Sequence, residues 1–201
     1  MISGIILAAG SSQRMGSPKS LLKIGEKTFL QYIVDVLHSA RIIDVVIVLG
    51  ADAEEIRESL TWFDGKIVVN EDWNKGQLTS IIKGIDALDL NSTEPEEVNG
   101  AMICPVDHPL LTQSLLVDLL QGYWTSKKKI IIPTFNGKRG HPVIFDKKYF
   151  DELRSAPHDV GARAVVHKHA DDVCEVPVNE EGILINIDTQ EDYLKYILQH
   201  N

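Results

Sequence analysis

The densest chemistry in the sequence lies between residues 7 and 22, LAAGSSQRMGSPKSLL. Leu7, Ala8, Ala9 and Gly10 close an apolar run, and the small residues among them let a ligand approach the backbone closely. Gly10, Ser11 and Ser12 can aim amide and hydroxyl donors at phosphate oxygens. Arg14 adds a planar donor fork and Lys19 a compact point charge, two ways of holding an oxyanion. No Gly-Lys-Ser/Thr closes the string, so it is not a Walker A loop. Its glycines fall at Gly10 and Gly16 with serines between, so it is not a G-x-G-x-x-G fingerprint either. It reads as a phosphate-holding loop directly after a strand.

Two carboxylates stand in comparable places. Asp107 follows the apolar stretch 101–106, and Asp188 follows 183–187. Parallel sheets bind ligands beyond the C-terminal ends of their strands. An aspartate there is a hard oxygen ligand suited to Mg²⁺, which takes carboxylates together with substrate phosphates. Each has a structural alternative, because Asp107 or Thr112 can cap one helix and Asp188 or Thr189 the last. Asn186 is a further candidate ligand in place of Asp188.

These groups need a scaffold, and the apolar pattern supplies one. Runs at 2–8, 44–50, 66–69, 100–106, 129–133, 141–145, 173–176 and 183–187 predict strands. Between them, 3- and 4-residue apolar spacing predicts helices over 29–40, 53–60, 77–88, 113–123, 150–153, 162–169 and 190–198. Strands apolar on both faces and joined by crossover helices imply a doubly wound, mainly parallel sheet in a three-layer α/β/α, Rossmann-like arrangement. Residues 89–99 are polar and acidic and read as a connecting loop, and Lys127–Lys129 as the entrance to a strand.

At 201 residues the chain is ~1.3 average domains, so a single domain over 1–201 is expected. Its 20 basic against 29 acidic residues argue against sequence-independent nucleic-acid binding, which needs a basic face. A few local cations still allow a small anionic ligand. Two distant cysteines, Cys104 and Cys174, match no metal spacing and read as reduced thiols. The opening MISGIILAAG has no basic segment ahead of its apolar stretch, which is too short to span a bilayer. A cytoplasmic location is the expectation.

The string L-A-A-G-x-S-x-R-M-G-x-x-K resembles the signature of MobA-like nucleotidyltransferases, in particular the molybdenum cofactor cytidylyltransferase branch. Further pieces occur in the expected order along the whole chain: GQLTS (76–80), PVDHP (105–109), GHP (140–142), DVGAR (159–163) and NIDTQED (186–192). The resemblance implies transfer of CMP from CTP to a phosphorylated acceptor, molybdopterin carrying molybdenum, with Mg²⁺ and release of pyrophosphate. It gives Lys19, Arg14 and Asp107 the catalytic roles, and the metal to Asp107 and Asp188. It places Gly76 and Ser80 near the base and ribose, although Thr79 and Ser80 also serve as helix-start residues. His141 and Arg163 become candidates for the acceptor, with a satisfied histidine as the alternative for His141. His108 is ambiguous in the same way, and His38, His158, His167, His169 and His200 show no ligand spacing.

By resemblance, Ala9 in L-A-A-G favours CTP, whereas guanylyltransferases tend to carry L-A-G-G. The implied partners are CTP or another NTP, the phosphorylated acceptor and a molybdoenzyme that takes the product. Neither nucleic acid nor membrane is expected, and the oligomeric state stays open between monomer and dimer. The alternatives are a non-catalytic cofactor-binding accessory protein and a sugar-phosphate or guanylyl transferase of the same superfamily. A dinucleotide-binding oxidoreductase fits poorly, because Gly50 ends the second strand where an acidic residue should hold the ribose, with Asp52 just beyond.

Overall fold

A computed structural model describes residues 1–12, 14–90 and 97–198. Residues 91–96 of the acidic loop, and His200, lie outside them. In chain order the elements are β1 (Ile2–Ala8), β2 (Lys23–Ile24), β3 (Lys27–Thr28), α1 (Phe29–Ser39), β4 (Val45–Leu49) and α2 (Ala53–Ser59). Next come β5 (Lys66–Val69), α3 (Gln77–Asp86), β6 (Gly100–Pro105), α4 (Gln113–Thr125), β7 (Ile130–Phe135), β8 (Lys138–Arg139) and β9 (Val143–Asp146). The chain closes with α5 (Phe150–Ser155), α6 (Arg163–Lys168), β10 (Val173–Pro177) and α7 (Gln190–Tyr193).

The main sheet has the order β10-β7-β9-β6-β1-β4-β5, with β8 paired to β7. It is mostly parallel, and β9 runs antiparallel between β6 and β7. Both faces of the central strands are buried by alternation. In β1, Ile6 and Ala8 join the core under α1 and α4, while Ile5 and Leu7 join the core under α3, α5 and α6. This is the three-layer doubly wound arrangement expected from the apolar runs.

The topology also sets the site. From β1 the chain crosses to β4 on one side, and β6 returns to the other side of β1. Such a switch point opens a crevice at the C-terminal strand ends. The parallel register Leu7↔Pro105 makes β1 and β6 end together, so the loop after Ala8 and the turn holding Asp107 emerge side by side.

Two expectations need correction. Residues 183–187 form no strand: a 3-10 turn over Glu181–Leu184 leads into irregular chain. Ile183 and Ile187 are fully buried, which explains the apolar signal. The segment runs across the ends of β9 and β6 instead of along an edge. Ile183 O accepts from His141 N at 3.0 Å, and Ile187 N donates to Asp107 O at 2.8 Å.

The closing helix over 190–198 divides into α7 and a π-helical turn, Leu194–Leu198. The hairpin strand β8 was not expected, although Asn136-Gly137 announces it. Both residues have positive φ (50° and 75°), the conformation of a two-residue type I′ turn.

Candidate active site

The loop leaving β1 is tied down at several points, and those ties aim Lys19 inward. Ser12 Oγ accepts from Lys19 N at 2.8 Å, and Ser12 O accepts from Met15 N at 2.9 Å. Met15 is buried, and its carbonyl accepts from Gln190 Nε2 at 3.3 Å. The Lys19 side chain is only 15% exposed; its ammonium hydrogen-bonds Asp188 Oδ1 and lies 3.8 Å from Asp107 Oδ2. Arg14 Nη2 approaches Asp188 Oδ2 at 3.8 Å from a far more exposed position.

Neither carboxylate is occupied with helix capping. Thr112 caps α4, its side chain accepting from Leu115 N at 3.2 Å. Thr189 caps α7 in a capping box with Asp192. Asp107 and Asp188 are therefore left to face the loop. Asn186 Nδ2 donates to Asp188 Oδ2 at 3.2 Å, and Asp188 N donates to Asp192 Oδ2 at 3.2 Å. Asn186 thus supports the Asp188 carboxylate.

Two carboxylates converge on one ammonium here, and such a pair of hard oxygen donors could hold a divalent cation. Among the described residues, no group of three or more His, Cys, Asp or Glu side chains is placed to hold a metal. A cation here would complete its shell with phosphate oxygens and water, as Mg²⁺ commonly does.

Beside this cluster lies a cavity of about 180 Å³. Leu7, Ala8, Ala9, Gly10, Ser11, Ser12, Lys19, Ser80 and Asp107 line it, whereas Arg14 and Gly76 do not. Trp73 and Gln77 also line it, neither singled out from sequence, although Trp73 just before the Gly76 break is a readable signal. Gly76 is the N-cap of α3 with φ +112° and no side chain caps the helix, while the Thr79 hydroxyl donates back to Gly76 O at 2.8 Å. Ser80 is buried, and its Oγ accepts from Asn70 Nδ2 at 2.9 Å, which leaves the Ser80 O–H as a donor.

A second cavity of about 470 Å³ meets the first at Gln77. His141, Arg163 and Arg139 line it over an apolar floor that includes Leu78, Ile81 and Phe145. His158 and His167, which sequence spacing left as structural or exposed, are exposed residues that also line this cavity.

The His108 and His141 rings lie 4.7 Å apart and tilted by 50°. Burial, then the neighbouring His108 and Arg163, push the His141 pKa down to about 4. Burial also lowers that of His108, against the pull of the Asp107 and Asp188 carboxylates. Both Nδ1 atoms are buried without a hydrogen-bond partner among the described residues. His141 is half-buried, and it keeps its Nδ1 free of protein partners among the described residues where it lines the second cavity.

Known proteins resemble the chain throughout. Residues 4–173 match the MobA-like NTP transferase domain. The nicotine blue oxidoreductase of Paenarthrobacter nicotinovorans is 26% identical, covering 98% of this chain and 96% of its own. A probable molybdenum cofactor guanylyltransferase of Bacillus mycoides is 27% identical, covering 96% and 94%. Among solved structures, Rv0371c from Mycobacterium tuberculosis superposes with a TM-score of 0.84 at 26% identity over 98% of both chains. The same mycobacterial protein is also known as a complex with manganese. No helix among the described residues is long and apolar enough to cross a membrane.

Proposed function

This chain belongs to the MobA-like NTP transferase family and is a nucleotidyltransferase, and from that premise we propose that it transfers CMP from CTP to a phosphorylated acceptor, molybdopterin carrying molybdenum. The observation that supports this reading most is the meeting of Lys19 and Asp107, 3.8 Å apart at the mouth of the glycine-serine loop. A triphosphate lying there touches cationic and metal-holding groups at once.

The chemistry balances without a general base. An acceptor monophosphate has a second pKa near 6 and is largely dianionic at neutral pH, so its oxygen is already nucleophilic. That oxygen forms the new bond to the α-phosphorus. The bond from the α-phosphorus to the bridging oxygen of the β-phosphate breaks, and pyrophosphate leaves with the electron pair. Lys19 and Arg14 hold the triphosphate, and Lys19 stabilises the leaving group. Asp107 and Asp188 would hold Mg²⁺, which would supply neutralisation of phosphate charge. Gly10, Ser11 and Ser12 donate to phosphate oxygens, and Ala8, Ala9, Gly76 and Ser80 shape the base and ribose site.

The second cavity suits the acceptor. His141 and Arg163 recognise its phosphate, and the apolar floor takes a flat ring system. Support for CTP comes from Ala9, and the Ser80 hydroxyl is a donor for an acceptor atom of the base. A second reading, GTP, draws on the name of the Bacillus mycoides relative. One catalytic domain over 1–201, acting in the cytoplasm as a monomer or dimer and handing product to a molybdoenzyme, completes the proposal.

The test is an NTP screen with Mg²⁺, offering molybdenum cofactor and sugar phosphates as acceptors and reading pyrophosphate. CTP with the cofactor should turn over fastest. Preference for GTP removes the nucleotide assignment, and turnover of a sugar phosphate alone removes the acceptor. A nicotinamide absorbance change without pyrophosphate would replace the reaction class with that named for the Paenarthrobacter relative.

A further inference from the structure

Lys19 is expected to serve the triphosphate, yet its ammonium is engaged elsewhere. It hydrogen-bonds Asp188 Oδ1 and sits 3.8 Å from Asp107 Oδ2, in the place between the carboxylates that a divalent cation would take. The three side chains are only partly exposed, at 15% for Lys19, 29% for Asp107 and 33% for Asp188, so their attraction is not fully screened. One ammonium cannot pair with the carboxylates and leave them open to a divalent cation.

We propose that Lys19 is a resident counter-ion for the Asp107–Asp188 pair, so that metal and triphosphate bind as a thermodynamically coupled unit. The inference rests on the metal assignment to Asp107 and Asp188 made above. A cation entering alone must displace the ammonium. A triphosphate entering alone must draw Lys19 away and leave the two carboxylates beside its own negative charge, with only the exposed Arg14 guanidinium 3.8 Å from Asp188. Entering together, the two ligands satisfy both sets of groups: the phosphates take the lysine and the carboxylates take the metal. Coupling of this kind is reciprocal by necessity. It also gives Asn186 a part, since its amide holds Asp188 Oδ2 while Oδ1 faces the lysine.

The experiment is titration of the metal alone, Mn²⁺ followed by electron paramagnetic resonance, without nucleotide. Lys19→Met and Lys19→Gln should bind Mn²⁺ on the order of tenfold more tightly than wild type, within the usual span of coupling energies. Lys23→Met removes the same charge from an exposed position outside the cluster and should bind as wild type does. Circular dichroism establishes that each variant is folded.

In a reciprocal arm, with EDTA present, Asp188→Asn should tighten CTP binding, and the gain should vanish when Lys19→Met is added. Equal or weaker Mn²⁺ binding by both Lys19 variants overturns the inference and leaves the proposed reaction standing. Unchanged Mn²⁺ binding in Asp107→Asn overturns the metal placement itself, and the inference with it.

Discussion

Asn70 Nδ2 donates to Ser80 Oγ at 2.9 Å and to Thr79 Oγ1 at 2.8 Å, while Asn70 Oδ1 accepts from Asp72 N at 3.0 Å. Asn70 is buried at the end of β5, and its amide fixes both hydroxyls at the start of α3. Ser80 lines the cavity, and accepting from Asn70 leaves its hydroxyl hydrogen available as a donor. Ser80→Ala should raise KM for CTP about 5–10-fold with little change in kcat, the cost of about one hydrogen bond. Steady-state kinetics checks it, and an unchanged KM removes Ser80 from the base site.

The loop after β1 is held from behind by Gly50, at the end of β4. A Cβ built there would stand 2.4 Å from Ala9 O and 2.8 Å from the Cβ atoms of Ala9 and Trp73. None of the three contacts can relax by turning a side chain, because each involves a backbone atom or a Cβ. Gly50→Ala should cost about 1–3 kcal/mol and push the loop into the cavity, lowering kcat/KM as well as Tm. Gly10→Ala meets nothing within 4 Å and should leave Tm unchanged. Calorimetry on the two variants separates them, and equal melting temperatures would contradict the packing argument.

His141 should remain neutral in the folded protein across ordinary working pH, since its pKa is pushed down to about 4 from 6.5. Between those values the unfolded chain binds a proton that the folded chain refuses. Stability therefore rises with pH through this window and is lost as pH falls through it. NMR of the ring protons should show no His141 titration from about pH 5 to 8. A midpoint near 6.5 would mean that the ring is solvated.

Much of this arrangement was legible because burial leaves a pattern in sequence. The strands of the central sheet are short runs apolar on both faces, and a sheet covered on both sides requires that. The same rule misled at 183–187, where Ile183 and Ile187 are buried by crossing strand ends instead of pairing along one. Burial is encoded there, but the ladder is not.

For the site, residue types announced the loop and both carboxylates, since a phosphate cradle needs small residues and cations. Spacing alone left Asp107 and Asp188 open to a capping role, which the hydroxyls of Thr112 and Thr189 take instead. The contact between Lys19 and Asp188 depends on how the last segment returns across β6, and no local pattern carries that. His158 and His167 likewise reach the second cavity only through the path of the chain between β9 and β10.

The measurement that bears most directly on the account is pyrophosphate release from CTP by wild type, Lys19→Ala and Asp107→Ala, assayed side by side with Mg²⁺ and molybdenum cofactor. Wild type should release pyrophosphate only when metal and acceptor are both present, and each variant should lose about 10²–10³ in rate while staying folded. Full activity in either folded variant, or release that does not depend on the metal, would contradict it.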